Sequence, residues 1–267
     1  MRLNRILRAF LWAVCLLLVT LFLYSGWNVF SILRGYKVAA QRYGALSDSV
    51  VSSPSAPVPT PQPEPTQTAA QEEEPPRERS PVSVDFSELS RLSGDVVGWL
   101  YLPDTVINYP LVQGSDNAYY LDRFLDGRVS SGGTLFVDFV CPADFSGRNT
   151  LIYGHNMKDG SMFALVDDYA DKSFYEAHPV LYLNTPTQNY RIDIFSAFTT
   201  DPESFVYTTE FADESDYYNF LSALLSSSEI RCHSSVSLQD RVVTLSTCTY
   251  SGEDLRFVVC GKLIEID

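Results

Sequence analysis

Hydrophobicity along the 267 residues changes character twice. Residues 9–33 are 25 uncharged positions dominated by Leu, Val, Phe and Trp. That exceeds the about 20 apolar residues a membrane-crossing helix needs and the roughly 7–15 of a cleavable signal's apolar region. A retained transmembrane anchor over 9–33 is expected, preceded by a basic tail at 1–8. Val38-Ala39-Ala40 has the small residues of a cleavage site but lies well past the apolar run. Between Ser47 and Pro81 large apolar residues nearly vanish, and 9 of the 15 prolines gather with Ser, Thr, Gln and the Glu72-Glu73-Glu74 run. Such a stretch cannot form a core and reads as a semi-extended spacer. The expected organisation is a basic tail (1–8), an anchor (9–33), a Pro-rich stalk (34–83) and a folded head (84–267).

In the head the periodicity turns to that of strands. Short runs rich in Val, Ile, Tyr and Phe fall at 97–102, 106–112, 134–139, 150–153, 180–183, 190–198, 242–247 and 256–266, separated by Gly, Pro, Asn or Asp. Asp85 ahead of Phe86-Ser87-Glu88-Leu89 reads as an N-cap with an acidic first turn, predicting a short helix to about Ser93. Tyr217, Phe220, Leu221, Leu224 and Leu225 recur at helical spacing within 213–228, and 162–169 reads as a shorter helix. The head is therefore mainly β, a barrel or sandwich of about eight strands carrying a few helices. Its 184 residues suffice for one domain with its own core.

Composition narrows the chemistry. The chain carries 19 Lys and Arg against 33 Asp and Glu, a net charge of −14. Residues 1–83 hold 8 basic and 6 acidic side chains, which leaves the head at −16. No nucleic-acid partner is expected, because such binding rests on Lys and Arg neutralising phosphates. Five Cys are too few for a disulfide scaffold, and no Cys/His spacing fits a structural zinc, so no metal and no cofactor are expected. Arg2, Arg5 and Arg8 before the anchor nearly balance Arg34, Lys37 and Arg42 after it, so charge barely fixes the anchor's direction.

Three His and five Cys keep the list of nucleophile and base pairs short. Cys15 lies in the anchor, and Cys260 sits within Phe257-Val258-Val259-Cys260, where a buried thiol acts as a small hydrophobe. Cys141 and Cys232 fall in expected loops, and a disulfide between them stays open. Cys248 ends a strand and precedes the polar Thr249-Tyr250-Ser251-Gly252-Glu253-Asp254, a junction that can expose a side chain to a substrate. His155 follows the strand Thr150-Leu151-Ile152-Tyr153 in the same manner, whereas His178 and His233 stand in loops. Arg256, eight residues after Cys248, can return beside the thiol or simply pair with Asp254 or Glu253.

Thr244-Leu245-Ser246-Thr247-Cys248 closing a strand, Arg256 in the next one, and Tyr153-Gly154-His155-Asn156-Met157 upstream together resemble the sortases. Gly114-Ser115-Asp116-Asn117-Ala118-Tyr119-Tyr120-Leu121, Gly132-Gly133-Thr134-Leu135-Phe136-Val137-Asp138 and the helix at 213–228 resemble the class B branch. The acidic calcium site usual in class A is not recognisable. The resemblance implies a closed eight-stranded β-barrel with an N-terminal helix and an inserted helix before the catalytic strands. It further implies a membrane-anchored extracytoplasmic cysteine transpeptidase of Gram-positive bacteria, single-pass, with a cytoplasmic amino terminus. Such an enzyme cuts a C-terminal sorting signal of secreted surface proteins after Thr, then transfers the acyl group to an amine of a peptidoglycan precursor. Carried onto this chain, Cys248 is the nucleophile, His155 the acid/base and Arg256 the oxyanion-stabilising group, with Ser246, Thr247 and Thr249 as peptide contacts. Alternatives are pilin polymerisation through a Lys acceptor, hydrolysis by water, or a non-catalytic anchored binding module. An L,D-transpeptidase fits less well, since its Arg typically follows the Cys more closely.

With ordinary pKa values of about 8.5 for Cys and 6.5 for His, thiolate and imidazolium coexist in on the order of 1% of molecules at pH 7. A nearby Arg favours the thiolate by charge attraction.

Overall fold

The computed structural model describes residues 2–53, 78–248 and 254–267. It begins with one long helix, α1 (Arg2–Val50), which runs into a two-residue strand, β1 (Val51–Ser52). Residues 78–82 lead to β2 (Ser83–Val84), which pairs antiparallel with β1 through Val51 and Val84. The short helix α2 (Phe86–Leu92) follows, its N-terminus capped by Asp85, whose carboxylate accepts the backbone N–H groups of Ser87 and Glu88. Leu89 is the buried residue by which α2 holds to the body.

Eight strands form a closed barrel: β3 (Val96–Tyr101), β4 (Asn108–Val112), β5 (Leu135–Val137), β6 (Asn149–Tyr153), β7 (Val180–Asn184), β8 (Asn189–Thr200), β9 (Val242–Cys248) and β10 (Arg256–Ile266). Around the barrel they run β10-β8-β7-β3-β4-β5-β6-β9, and β6 and β9 are hydrogen-bonded neighbours, which leaves no open edge. The pairs β4–β5 and β6–β9 are parallel; the others are antiparallel. A helix α3 (Lys172–Ala177) precedes β7, after a 3₁₀ stretch at Ala164–Ala170 where the sequence predicts a short helix. The mainly β architecture and the eight strands follow the sequence reading, each strand ending within a few residues of its expected bounds.

Two apolar clusters hold the body together. One includes Trp99, Leu100, Leu111, Leu135, Ile152, Phe163, Leu183 and Val259. The other forms where α4 (Glu214–Ser227) packs Tyr217, Phe220, Leu221 and Leu224 onto Phe195, Phe198, Val242, Val258 and Cys260 of β8, β9 and β10. Residues 242–247 of β9 are buried without alternation, because the barrel core covers one face and the α4 layer the other.

The helix α1 departs from the expected organisation. Its apolar half stands clear of the barrel, with Phe10, Trp12, Phe22 and Trp27 between 63% and 77% exposed. Among the described residues it is the one helix long and apolar enough to cross a membrane. Helix continues past Leu33, however, and Ala39, Tyr43, Leu46 and Val50 are buried. Together with the half-buried Tyr36 they form a stripe at alternating three- and four-residue spacing that docks on the body. Residues 78–84 are also tied down: Ser80 and Asp267 bond through their backbones, and Arg191 pairs with Glu78. The stalk expected over 34–83 is thus corrected at both ends, since the stripe between Tyr36 and Val50 buries area that a spacer leaves in water. The Pro-rich residues 54–77 lie outside the described residues.

Gly154 follows β6 at a point of close approach to its neighbours. A β-carbon there would lie 2.4 Å from a Leu135 methyl and 2.6 Å from the Phe163 ring. We expect Gly154→Ala to cost about 1–3 kcal/mol by overpacking, read as a lowered urea midpoint with an unchanged slope.

Candidate active site

The site arises from the parallel pairing of β6 with β9. Parallel neighbours end at the same edge of a sheet, and here Tyr153 stands opposite Ser246 while the Gly154 N–H donates to the Ser246 carbonyl at 3.2 Å. His155, two residues past the end of β6, therefore emerges beside the end of β9, where Cys248 is the last strand residue. Strand β10 returns antiparallel to β9, and its first residue, Arg256, is the register partner of Cys248. Positions 93 residues apart in the chain meet at one barrel end.

A groove of about 500 Å³ opens there, lined by His155, Arg256, Ser246, Thr247, Tyr153 and Tyr207, with Asn117, Leu121, Phe136, Gly154 and Pro202 completing it. Of the expected peptide contacts, Ser246 and Thr247 reach the groove lining, whereas Thr249 lies outside the described residues. Both reach it from a buried strand: each is only 2% exposed, and the Ser246 hydroxyl lies 3.0 Å from that of Tyr207.

The imidazole of His155 is oriented by a carbonyl. Its Nε2 stands 2.7 Å from the Leu121 oxygen. A carbonyl only accepts, so Nε2 carries hydrogen and Nδ1 is the nitrogen left for proton exchange. The guanidinium of Arg256 donates to the Leu255 carbonyl at 3.1 Å and makes no ion pair among the described residues. Its pairing with Asp254, one of the readings left open by the sequence, is not found.

One groove wall is a polar network. The buried Asp138 carboxylate accepts the Tyr153 hydroxyl and the Asn117 amide, each at 3.0 Å, and the Asn117 carbonyl in turn accepts the Phe139 N–H at 3.1 Å. Burial, followed by the charge of Asp138, holds the Tyr153 phenol far above its ordinary pKa, so it remains a donor to that carboxylate. Tyr153 also stacks on Tyr207 with ring centroids 6.3 Å apart. Tyr207 and Pro202 come from the connection between β8 and α4, which sequence reasoning overlooked; the aromatic cluster Phe205-Val206-Tyr207 just before the inserted helix was the available signal.

The remaining candidates fall elsewhere. His178 caps α3 and packs its ring on Phe174, and the His233 N–H donates to the Tyr175 hydroxyl. Cys141 and Cys232 are both free thiols, so the disulfide considered for them is not formed. Burial pushes the Cys232 thiol up to about 11 and that of Cys260 to about 12, and raises Cys141 as well. Among the described residues no group of three His, Cys, Asp or Glu side chains has the arrangement to hold a metal ion.

Known proteins share this architecture. A family model described as the sortase domain matches residues 100–264. Sortase B of Listeria monocytogenes is 38% identical over 182 residues, 67% of this chain and 74% of the relative. Sortase B of Staphylococcus aureus is 34% identical over 187 residues, 69% and 77% of the two chains. The solved S. aureus sortase B–substrate complex superposes with a TM-score of 0.65 over 68% of this chain and 85% of that one. A Bacillus anthracis sortase B structure, 36% identical, gives 0.63 over 73% and 90%. With the barrel, the inserted helix α4 and the groove where β6, β9 and β10 meet, these matches show that the chain belongs to the sortase family of cysteine transpeptidases, in its class B branch.

Proposed function

We propose that Cys248 is the nucleophile, His155 the general acid/base and Arg256 the cation that stabilises developing negative charge. The substrate is the C-terminal sorting signal of a secreted surface protein. The observation that carries the reading is the common edge: Arg256 is in register with Cys248, and His155 and Arg256 line the same groove. In the first half-reaction the Cys248 thiolate attacks the carbonyl carbon of the signal's Thr. The tetrahedral oxyanion is held by the Arg256 guanidinium, and His155 transfers a proton to the departing amine as the peptide C–N bond breaks. A thioester remains. In the second half-reaction an amine of a peptidoglycan precursor attacks the thioester, His155 takes its proton, and the thiolate is released.

The hydrogen bond from Nε2 to Leu121 supports this division of labour, because it leaves Nδ1 to carry the transferred proton. The groove sets the apolar surfaces of Leu121, Phe136, Pro202 and the Tyr153 and Tyr207 rings beside Asn117, Ser246, Thr247 and a single guanidinium, a mixed lining suited to an extended peptide. A related S. aureus sortase B has been solved as a substrate complex. The apolar half of α1 serves as the membrane anchor, and the acceptor chemistry requires the head outside and the amino terminus in the cytosol.

The test is cleavage of a Thr-containing peptide library by the full chain in detergent, with diaminopimelate, oligoglycine, Lys or water as acceptor. We expect Cys248→Ala to lower kcat/KM by at least about 10³-fold, the scale seen when a covalent nucleophile is removed. Surviving cleavage refutes the assignment. Arg256→Lys loses the planar fork and should fall by about 10²-fold, the scale of one oxyanion donor; full activity with Lys excludes an oriented-donor role. Brief alkylation of folded protein at pH 8, mapped by mass spectrometry, should modify Cys248 and spare Cys141, Cys232 and Cys260, whose thiols burial keeps protonated.

A further inference from the structure

Helix α1 does more than tether the barrel. Tyr43 is 4% exposed, with its ring against Phe124 (centroids 4.9 Å apart) and edge-on to Tyr109 (5.2 Å). Its hydroxyl donates to the Gly133 carbonyl and lies 3.1 Å from Thr134 Oγ1. Gly133 has φ +58°, and a β-carbon there would lie 2.5 Å from the carbonyl oxygens of both Leu121 and Tyr120. The Thr134 N–H donates to the Tyr120 carbonyl at 3.0 Å, and its hydroxyl donates to the Arg123 carbonyl at 2.8 Å. The peptide that Tyr43 grips is thus pressed against the carbonyl that fixes the His155 imidazole. The second support of His155 is held as well. Tyr109, against which Tyr43 packs, accepts the Met162 N–H at 3.2 Å; Met162 bridges to Asn156, and the Phe163 N–H donates to the His155 carbonyl at 2.9 Å.

We propose that Tyr43 is a positioning residue for His155, and that the docked end of α1 is a strut setting the imidazole's place and tautomer. Leu121 is exposed to solvent on one side, and its segment, residues 118–123, lies within the 113–134 connection from β4 to β5 and has only a single turn of 3₁₀ helix of its own. Without the brace at Gly133 and Thr134, the Leu121 carbonyl loses the contacts that aim it. The proposal rests on His155 as the acid/base, but its structural half can be read without turnover.

The experiment uses the full chain in detergent micelles as wild type, Tyr43→Phe, Thr134→Val, the double variant, and Ser47→Ala. Ser47, also on α1, accepts from Asn108 at 2.8 Å and touches neither support of His155, so it controls for general loosening of the helix. The readouts are the ¹⁵N shifts of the His155 ring against pH, and kcat and KM across pH. Tyr43→Phe should convert the neutral ring from Nε2–H alone to a mixture with Nδ1–H. It should also lower kcat about tenfold with KM within about twofold, as misplacing a catalytic group by less than an ångström does. Thr134→Val should act alike, and the double variant should be no worse than either single change, because both cut one relay. Ser47→Ala should leave the ring and kcat unaltered. An unchanged His155 nitrogen pattern in Tyr43→Phe and Thr134→Val overturns the proposal whatever the activity, as does an equal effect of Ser47→Ala. Should Tyr43→Phe fail to fold, Thr134→Val alone decides by the same pattern. Activity surviving His155→Ala would instead refute the acid/base assignment and leave the ring measurement standing.

Discussion

Parallel pairing of β6 with β9 is the constraint on which the remaining architecture hangs. It closes the barrel, and because parallel strands terminate at one edge it also delivers residues that follow Tyr153 and residues that end β9 to the same place. The antiparallel return of β10 then adds Arg256 by register alone. No loop has to reach for the others. A strand slip of one residue on β9 would turn its side chains to the opposite face, and burial of β9 between the barrel core and α4 makes such a slip costly. The α4 layer therefore guards the register of the strand that ends in Cys248.

Electrostatics in the groove follow from what is and is not compensated. Asp138 is buried but surrounded by donors from Tyr153, Asn117 and the Val140 N–H, so its charge is absorbed within the wall. Arg256 has no carboxylate partner among the described residues, which leaves its donors for groups arriving in the groove. In a head of net charge −16, that selective pairing decides where an unspent positive charge stands.

Continuity of α1 from its apolar half into the docked half links that apolar half mechanically to the body. A free spacer would let the groove take any distance and direction relative to the apolar half of α1. A single helix whose last turns bury Tyr43, Leu46 and Val50 fixes both, and the β1–β2 pair pins the chain on either side of residues 54–77 to one spot.

Local physics in the sequence settled the elements. Runs rich in Val, Ile, Tyr and Phe marked all eight barrel strands, Asp85 marked the start of α2, the helical spacing of Tyr217, Phe220, Leu221 and Leu224 marked α4, and the apolar length of residues 9–33 marked the exposed half of α1. Cys248, His155 and Arg256 stood out because each adjoins a strand end, and strand ends are visible in composition. Tertiary structure decided what depends on partners far along the chain. The stripe from Tyr36 to Val50 has helical spacing but was hidden beside prolines, and only the surface it covers shows that it is part of the body. Tyr207 entered the groove through the β8–α4 connection, and the Leu121 carbonyl that orients His155 is a backbone atom common to every residue type. Strand order, the meeting of β6 with β9, and hydrogen bonds between backbone groups carry no signature in residue identity, because they are made by atoms all residues share.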